Sequence, residues 1–335
     1  MNKRKIYDEQ LIIITGAAGL IGSNVVRYLN AKGQTNIILV DDLGTGLKWK
    51  NLVGTKYADF LPIYALDDWL QGREDDIEAI IHLGANSSTL ETNADELIDS
   101  NYRASINLAE YSFENDLRFI YASSAATYGL GENGFSDDHE LLDNLMPINM
   151  YGYSKHMFDQ WLYRQGAIED AVGLKYFNIY GPGEIHKGRM ASMGQHMTKQ
   201  ILEKGSVRLY KSNDQRFADG DQVRDFLYVK DAAAMTCAFL DSEVGGIFNI
   251  GSGIESTWNQ FAKALFAALD RPENIEYIPM PEDLSKQYQN YTLADMSKFK
   301  GVFPKFGNPT TLEDACKDYV AYLLPFIEER GLASI

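Results

Sequence analysis

The sequence predicts an α/β protein, with a doubly wound parallel sheet and a smaller α/β domain whose segments interleave with it. Short, continuous apolar runs alternate with amphipathic stretches over residues 1–180, which is typical of parallel strands covered by helices on both faces. Beyond residue 180 the pattern becomes irregular, and βαβ-like segments return near 225–250. We therefore expect residues 1–180 with about 223–250 to form the first domain, and 181–222 with 251–335 to form the second.

The individual elements follow from the same alternation. Each predicted strand is a short apolar run bounded by turn-forming or charged residues. In chain order, the predicted strands cover 11–15, 37–40, 77–83, 118–122, 172–177 and 246–250. The predicted helices cover about 20–32, 95–114, 151–165, 258–269 and 312–324.

The composition excludes several classes of function. The 335 residues include 31 Lys and Arg and 47 Asp and Glu, which gives a formal net charge of −16. We therefore do not expect a basic surface that binds along the phosphates of a nucleic acid. Cys237 and Cys316 have no CxxC spacing, and no apolar run approaches the ~18 residues of a membrane helix, so we expect a cytoplasmic protein. The five histidines lack metal-ligand spacing, so no metal site is expected.

The segment TGAAGLIG joins the first predicted strand to the first predicted helix. Its three glycines permit a tight turn and a close approach of a ligand to the backbone. The helix start also offers free N–H groups and the positive end of the helix dipole to a pyrophosphate. We therefore predict a dinucleotide site here. The predicted contacts are Gly16, Gly19, Leu20, Ile21 and Gly22.

Acidic residues close the second predicted strand. Asp41 and Asp42 stand where an acidic side chain accepts hydrogen bonds from the adenosine ribose of NAD and repels the 2′-phosphate of NADP. Lys48 follows a few residues later, and it either contacts that phosphate or is a solvated loop lysine. The choice between the two cofactors stays open on these residues alone.

A serine, a tyrosine and a lysine form a candidate catalytic group. Tyr151 and Lys155 are four residues apart, so they lie one turn from each other on one face of a helix. A nearby ammonium favours the tyrosinate and lowers the pKa of a phenol, which suits proton transfer. Ser124 ends a predicted strand, where its hydroxyl can hydrogen-bond the reacting oxygen.

Together these motifs resemble the extended short-chain dehydrogenase/reductases. The resemblance is carried by TGAAGLIG, the aspartate after the second strand, YASSAATYG and YGYSK. Over nearly the whole chain, the sequence is more similar to one family within that group, the ADP-L-glycero-D-manno-heptose 6-epimerases. The segments that carry this closer similarity are LGANSST, KYFNIYGPGEIHKGRMAS, QVRDFLYVKD, GIFNIGSG and YIPMPEDLSKQYQNYTLAD, of which HKGRMAS and KQYQNYTLAD are the most specific.

The resemblance implies a Rossmann domain with a tightly bound nicotinamide cofactor, and a second domain that binds a nucleotide sugar. The implied activity is isomerisation without net redox change. Carbon 6 of ADP-D-glycero-D-manno-heptose, a lipopolysaccharide precursor, would be oxidised to a transient aldehyde and reduced on its other face. The implied cofactor is NADP, with NAD as the alternative. The resemblance also implies a homo-oligomer, because the family is typically pentameric, whereas it is the charge and hydropathy that lead us to expect no nucleic-acid or membrane partner.

The resemblance also implies roles for individual residues. Tyr151, held by Lys155, matches the acid/base on one side of the reacting carbon, and Lys187 matches the second, unless Lys187 only binds the substrate diphosphate. Besides the glycine loop, Asp41, Asp42 and Lys48, the implied cofactor contacts are Leu83, Ser87, Asn101, Tyr151, Lys155, Ile179 and Lys187. The implied substrate contacts are Ser124, Asn178, Arg189, His196, Tyr210, Lys211, Ser212, Asn213, Arg224 and Tyr288.

The chain also departs from its relatives. Some members read HEGA where this chain has HLGA at 82–85, and no second lysine for the 2′-phosphate stands near 61–64. Both departures weaken the expectation of NADP. Two other functions stay open: an epimerase of another nucleotide sugar, such as a UDP-hexose 4-epimerase, and a dinucleotide-sensing protein without turnover. HKGRMAS argues against the first, and the intact Ser124, Tyr151 and Lys155 argue against the second.

Overall fold

A computed structural model describes residues 10–335, so the first nine residues of the predicted first domain lie outside the described part of the chain. The strands are β1 Leu11–Thr15, β2 Ile37–Val40, β3 Asp59–Leu61, β4 Ile77–His82, β5 Arg118–Ser124, β6 Ala171–Tyr176, β7 Asn178–Tyr180, β8 Val207–Tyr210, β9 Val223–Arg224, β10 Phe226–Tyr228, β11 Gly246–Ile250, β12 Ser256–Thr257 and β13 Ile275–Ile278. The α-helices are α1 Leu20–Ala31, α2 Leu66–Leu70, α3 Ala94–Leu97, α4 Ala104–Glu114, α5 Met150–Gln165, α6 Met193–Lys204, α7 Val229–Ala238, α8 Trp258–Ala268, α9 Glu282–Ser285, α10 Ser297–Val302 and α11 Leu312–Arg330.

Seven parallel strands form the central sheet, in the order β11-β6-β5-β4-β1-β2-β3. The interior strands are apolar along most of their length because helices cover both faces of the sheet. The strand order reverses beside β1, since the chain first runs outward through β2 and β3 and then returns to β4. Ligands of doubly wound sheets bind at the carboxyl ends of the strands on either side of such a reversal. The sheet therefore confirms the predicted fold class and indicates where its ligand lies.

Two hydrophobic clusters account for the core. The first surrounds the seven-stranded sheet, and the second lies among α6, α8 and α11, with Met197, Phe261 and Tyr319 at its centre. Met296 and Phe299 belong to the first cluster, although the predicted boundary at residue 251 assigns them to the second domain. The difference arises because the chain returns to the sheet at α10, after α6 and α8 of the second cluster.

Two predicted helices differ in detail from the structure. The helix predicted over 95–114 is interrupted by a π-helical turn, Ile98–Arg103, which places the side chain of Asn101 in the interior. The helix predicted to end at 324 continues through Pro325 to Arg330. Phe326 and Ile327 pack against the second cluster, and this packing outweighs the hydrogen bond that a proline removes.

Among residues 10–335, no helix is both long and apolar enough to cross a membrane.

Candidate active site

The glycine turn after β1 is packed too tightly for side chains. Gly16 has φ 65°, and a Cβ there would lie 2.7 Å from the backbone nitrogen of Gly84, after β4. A Cβ on Gly22 would lie 2.2 Å from the carbonyl oxygen of Gly16. Helix α1 begins beside this turn with Gly19 as its N-cap, and no side chain among residues 10–335 caps its first N–H groups. The turn therefore keeps free backbone donors at the switch point of the sheet, as an anion site requires.

Asp41 fixes the far end of this turn. Its carboxylate is almost fully buried and accepts hydrogen bonds from the backbone nitrogens of Ala18 (2.8 Å) and Asp42 (2.7 Å). Lys48 Nζ forms an ion pair with the same carboxylate and donates to the Asp42 carbonyl at 3.2 Å. The Asp42 side chain is exposed. Lys48 therefore reaches the predicted ribose position, but its charge is balanced by Asp41.

The candidate catalytic group comes from two elements that approach closely. Ser124 is the last residue of β5, and Tyr151 and Lys155 lie in the first turns of α5, whose N-cap Asn149 accepts from the backbone of Gly152 at 2.7 Å. A Cβ on Gly152 would lie 2.7 Å from the Ala126 carbonyl oxygen. Glycine at this position thus lets the helix start pack directly on the turn that follows Ser124.

Burial and hydrogen bonding act in opposite directions on the ionisable members of this group. Burial raises the pKa of Tyr151, and its hydrogen bond with Ser124 opposes this rise. Burial lowers the pKa of Lys155 to about 8, against the effect of the Asp159 carboxylate. Lys155 therefore remains mostly protonated at pH 7, when its charge can stabilise a tyrosinate.

Lys187 lies in a short 3₁₀ segment, Ile185–Met190, in which Gly188 adopts a positive φ of 52°. Burial lowers the pKa of Lys187, and the neighbouring Glu184 opposes this effect. Glu184 is fully buried and accepts hydrogen bonds from Ser192 Oγ (2.7 Å) and Tyr319 Oη (2.5 Å). One carboxylate thus anchors the Lys187 segment to helix α11.

A single cavity of about 1160 Å³ unites these parts at the carboxyl ends of the strands. It extends from Asp42 to the candidate catalytic group and Lys187. The predicted site residues that line it are Gly16, Gly19, Leu20, Ile21, Gly22, Asp41, Asp42, Lys48, Leu83, Ser87, Ser124, Tyr151, Lys155, Ile179 and Lys187. This volume is somewhat above the roughly 300–1,000 Å³ of most small-molecule sites, which suits an extended ligand.

Asn101 does not line this cavity. It is fully buried, and its amide accepts from the backbone nitrogen of Asn86 (2.8 Å) and donates to the Asn86 carbonyl (2.9 Å) and to Ser154 Oγ (3.0 Å). The loop after β4, which carries Leu83 and Ser87 into the cavity, is thereby held against α5. Asn101 positions cavity residues from behind.

Most predicted substrate residues lie outside this lining. The guanidinium of buried Arg224 contacts two aromatic rings, 5.4 Å from the Trp258 centroid and 5.0 Å from that of Tyr288. Asn213 Nδ2 donates to the carbonyl and hydroxyl oxygens of Ser285, both at 2.9 Å, so the predicted 210–213 loop meets the segment that leads to Tyr288. The remaining predicted residues outside the lining are Asn178, Arg189, His196, Tyr210, Lys211 and Ser212.

Several functional candidates escaped the sequence analysis. Gln222, beside Arg224 in the chain, is 1% exposed, and neither amide atom has a hydrogen-bond partner among the described residues. Asp159 and Lys175 form a buried ion pair behind the catalytic group. Asp159 lies four residues after Lys155, so the helical spacing that identified Tyr151 and Lys155 could also have identified it. Gln222 has no comparable signal in the sequence.

The part of the chain that the structure describes contains no group of three or more His, Cys, Asp or Glu residues that could hold a metal ion.

Curated relatives cover almost the whole chain. The ADP-L-glycero-D-manno-heptose-6-epimerase of Nitratidesulfovibrio vulgaris (strain DP4) is 46% identical over 319 residues, which covers 94% of this chain and 98% of that protein. The protein of the same name from Fusobacterium nucleatum is 44% identical over 323 residues, covering 92% of this chain and 97% of that protein.

Solved structures and a family model agree with these relatives. The crystal structure of the Helicobacter pylori ADP-L-glycero-D-manno-heptose-6-epimerase superimposes with a TM-score of 0.77 at 26% identity, covering 95% of this chain and 97% of that one. The Thermotoga maritima UDP-glucose 4-epimerase gives 0.75 at 26% identity, covering 95% and 100%. The model of the NAD dependent epimerase/dehydratase family matches residues 12–251, across the glycine turn, the catalytic group and the Lys187 segment. The chain belongs to the NAD dependent epimerase/dehydratase family.

Proposed function

We propose that this protein is an ADP-glyceromanno-heptose 6-epimerase, which inverts carbon 6 of ADP-D-glycero-D-manno-heptose to the L-glycero form. The observation that carries the proposal is the presence of two candidate proton-transfer groups, Tyr151 with Lys155 and Lys187, in one cavity with a dinucleotide-type glycine turn. The curated relatives of the same activity, at 44–46% identity over nearly the whole chain, support the same substrate.

The residues of the glycine turn fit a nicotinamide dinucleotide. The space that a Cβ would fill at Gly16 and Gly22 is taken by backbone, and the uncapped start of α1 offers donors to a pyrophosphate. A bound nicotinamide supplies the group that accepts and returns a hydride. The oxidised sugar is a ketone, because carbon 6 of a heptose is bonded to carbons 5 and 7; the aldehyde expected above would require oxidation at carbon 7.

The two proton-transfer groups have complementary tasks. Tyr151, as the tyrosinate favoured by Lys155, takes the proton of the carbon 6 hydroxyl, and Ser124 donates a hydrogen bond to the same oxygen. Inversion requires the carbonyl to present its other face. A second group must then donate a proton to the carbonyl oxygen as the hydride returns. We assign this task to Lys187, which Glu184 tends to keep protonated. The charge of Lys187, with those of Arg189 and Arg224, also suits the substrate diphosphate.

For the cofactor we propose NADP, with Lys48 as the ligand of the 2′-phosphate. NAD is the alternative, which the Asp41–Lys48 ion pair and the exposed Asp42 favour. Mass spectrometry of the dinucleotide released on denaturation decides between them. Under the NADP assignment, Lys48→Ala lowers the amount of cofactor retained during purification; under the NAD assignment, it leaves that amount unchanged.

We further propose that the protein works in the cytoplasm as a homo-oligomer. Both cysteines are free and buried, as suits a reducing compartment. Exposed apolar side chains stand at every second position at Met146, Ile148 and Met150, the last of which is the first residue of α5, and such a patch suits contact with a second copy. Sedimentation analysis measures the assembly state.

The test of the activity uses the purified protein without added cofactor. ADP-D-glycero-D-manno-heptose is incubated with it, and the configuration at carbon 6 is followed by NMR. We expect inversion in the wild type and a loss of several orders of magnitude in Tyr151→Phe. A cofactor-loaded wild type that leaves carbon 6 unchanged would refute the assignment, and inversion of carbon 4 in a UDP-hexose would replace it by the alternative epimerase.

A further inference from the structure

The buried carboxylate of Asp159 lies on the same helical face as the catalytic tyrosine and lysine. Tyr151, Lys155 and Asp159 follow one another at four-residue intervals on α5, so they form one stripe that faces β5 and β6. Lys155 and Asp159 are 4% and 0% exposed. A carboxylate without access to solvent needs partners that compensate its charge. Those partners determine what Asp159 does.

Three side chains donate to this carboxylate. Tyr121 Oη donates to Oδ1 at 2.9 Å, and Ser123 Oγ and Lys175 Nζ each donate to Oδ2 at 2.7 Å. Tyr121 and Ser123 lie on the same face of β5, and Lys175 is the register partner of Ser123 on β6. One carboxylate therefore connects the catalytic helix to two strands.

The sheet is built to admit the tyrosine hydroxyl. A Cβ on Gly173, opposite Tyr121 on β6, would lie 2.4 Å from Tyr121 Oη. Any other residue at this position would displace the hydroxyl that reaches Asp159.

Lys175 extends the connection to Ser124. Its Nζ also donates to Thr127 Oγ1 at 2.6 Å, and Thr127 Oγ1 donates to the Ser124 carbonyl at 2.8 Å. Ser124 is thus held from two sides: through Thr127, and through its chain neighbour Ser123, which contacts Asp159 directly. The network therefore reaches Ser124 through Thr127, and its carboxylate lies on the helix that carries Tyr151 and Lys155.

Among the charged and titratable groups around this network, Asp159 is the carboxylate that acts on Lys155. Burial lowers the pKa of His156 and, for His82 on β4, lowers it to about 3, so both imidazoles are neutral at pH 7. Asp159 opposes the burial that lowers the pKa of Lys155. The titratable or charged groups that face the network from α5, β4, β5, β6 and the turn after β5 are Lys155, His156, His82, Tyr121, Lys175 and Tyr128.

We propose that Asp159 and Lys175 are positioning residues: Asp159 keeps Lys155 charged, and the two together hold Ser124 beside Tyr151. This inference rests on the proposed role of Tyr151 and Lys155 in proton transfer. Neither Asp159 nor Lys175 lines the cavity, so both act through the residues that do. This positioning role explains why the interior of the sheet contains an ion pair, although apolar residues would pack there at a lower cost in free energy.

The test compares the wild type with the double variant Asp159→Asn/Lys175→Met, which removes both charges and leaves no unpaired buried ion. The protein is labelled with [¹³Cζ]tyrosine and keeps its cofactor, and the Tyr151 resonance is assigned from its absence in Tyr151→Phe. We expect Tyr151 to titrate at higher pH in the double variant, because Lys155 is less protonated there. The rising limb of the pH–kcat profile moves in the same direction, and kcat at pH 7 falls roughly 10- to 100-fold.

Tyr121→Phe is the second variant, because it keeps both charges and removes one hydrogen bond to Asp159. It should move the titration of Tyr151 in the same direction by less, and it decides the matter if the double variant does not fold. Tyr111→Phe is the matched control: it removes the 3.1 Å bond from Tyr111 Oη to the Leu70 carbonyl, outside the cavity lining, and should leave the titration unchanged.

A Tyr151 titration that is the same in the wild type and in every folded variant would overturn the inference, even if kcat falls, because a loss of packing lowers rates without moving that titration. The titration needs no substrate. A wild type that fails to invert ADP-heptose would therefore refute the proposed function and leave the result on Asp159 and Lys175 to stand alone.

Discussion

In the proposed mechanism, Lys155 sets the upper end of the pH range in which the candidate catalytic group works. Its pKa is lowered to about 8, chiefly by burial, so it carries a positive charge below that pH and loses it above. The tyrosinate form of Tyr151 depends on this charge. We expect kcat to decline as the pH rises through about 8, which a pH–rate profile under saturating substrate measures. A kcat that stays constant to pH 10 would show that the charge of Lys155 is not needed.

Glu184 favours the charged form of Lys187, as Asp159 does for Lys155. Glu184→Gln removes the carboxylate that favours the charged form of Lys187, and places an amide opposite the donors Ser192 and Tyr319. If Lys187 transfers a proton, kcat should fall by roughly 10²-fold with a small change in KM. Tyr319→Phe is the control, since it keeps the carboxylate and should cost much less. A rise in KM at unchanged kcat would make Lys187 a diphosphate ligand only.

At the scale of the element, the sequence predicts what depends on local pattern. The bounds of β1, β2 and β11 are confirmed because each apolar run ends at residues of a different kind. The π-helical turn around Asn101 was missed because it depends on contacts with Asn86 and Ser154, which come from distant parts of the chain. The contact of Glu184 with Tyr319 spans 135 residues for the same reason. The spacing of Tyr151 and Lys155 is local and was recognised, and their role in catalysis stays a prediction.

The first turn of α5 gives a prediction for an element. A helix is usually less stable, by about 1 kcal/mol, with glycine than with alanine at an interior position. At Gly152, however, a Cβ would lie 2.7 Å from the Ala126 carbonyl oxygen. Gly152→Ala should therefore push α5 away from the turn after Ser124 and lower kcat by roughly 10²-fold. Gly301→Ala in α10, where a Cβ meets nothing within 4 Å, is the matched control and should keep full activity. Equal kcat in the two variants would contradict this close packing.

At the scale of the whole molecule, a net charge of −16 opposes the approach of a diphosphate, whereas the cations proposed to bind it are few and close to it. Raising the salt concentration from about 0.01 to 0.15 M shortens the screening length from ~30 to ~8 Å, which weakens the repulsion by the distant acidic surface more than the short contacts with Lys187 and Arg224. We therefore expect kcat/KM to stay level or to rise, by up to about tenfold, over this range. Arg224→Gln should lower kcat/KM at every salt concentration without reversing the trend. A steep fall of kcat/KM in the wild type would mean that exposed cations guide the substrate, and that the acidic surface does not govern its approach.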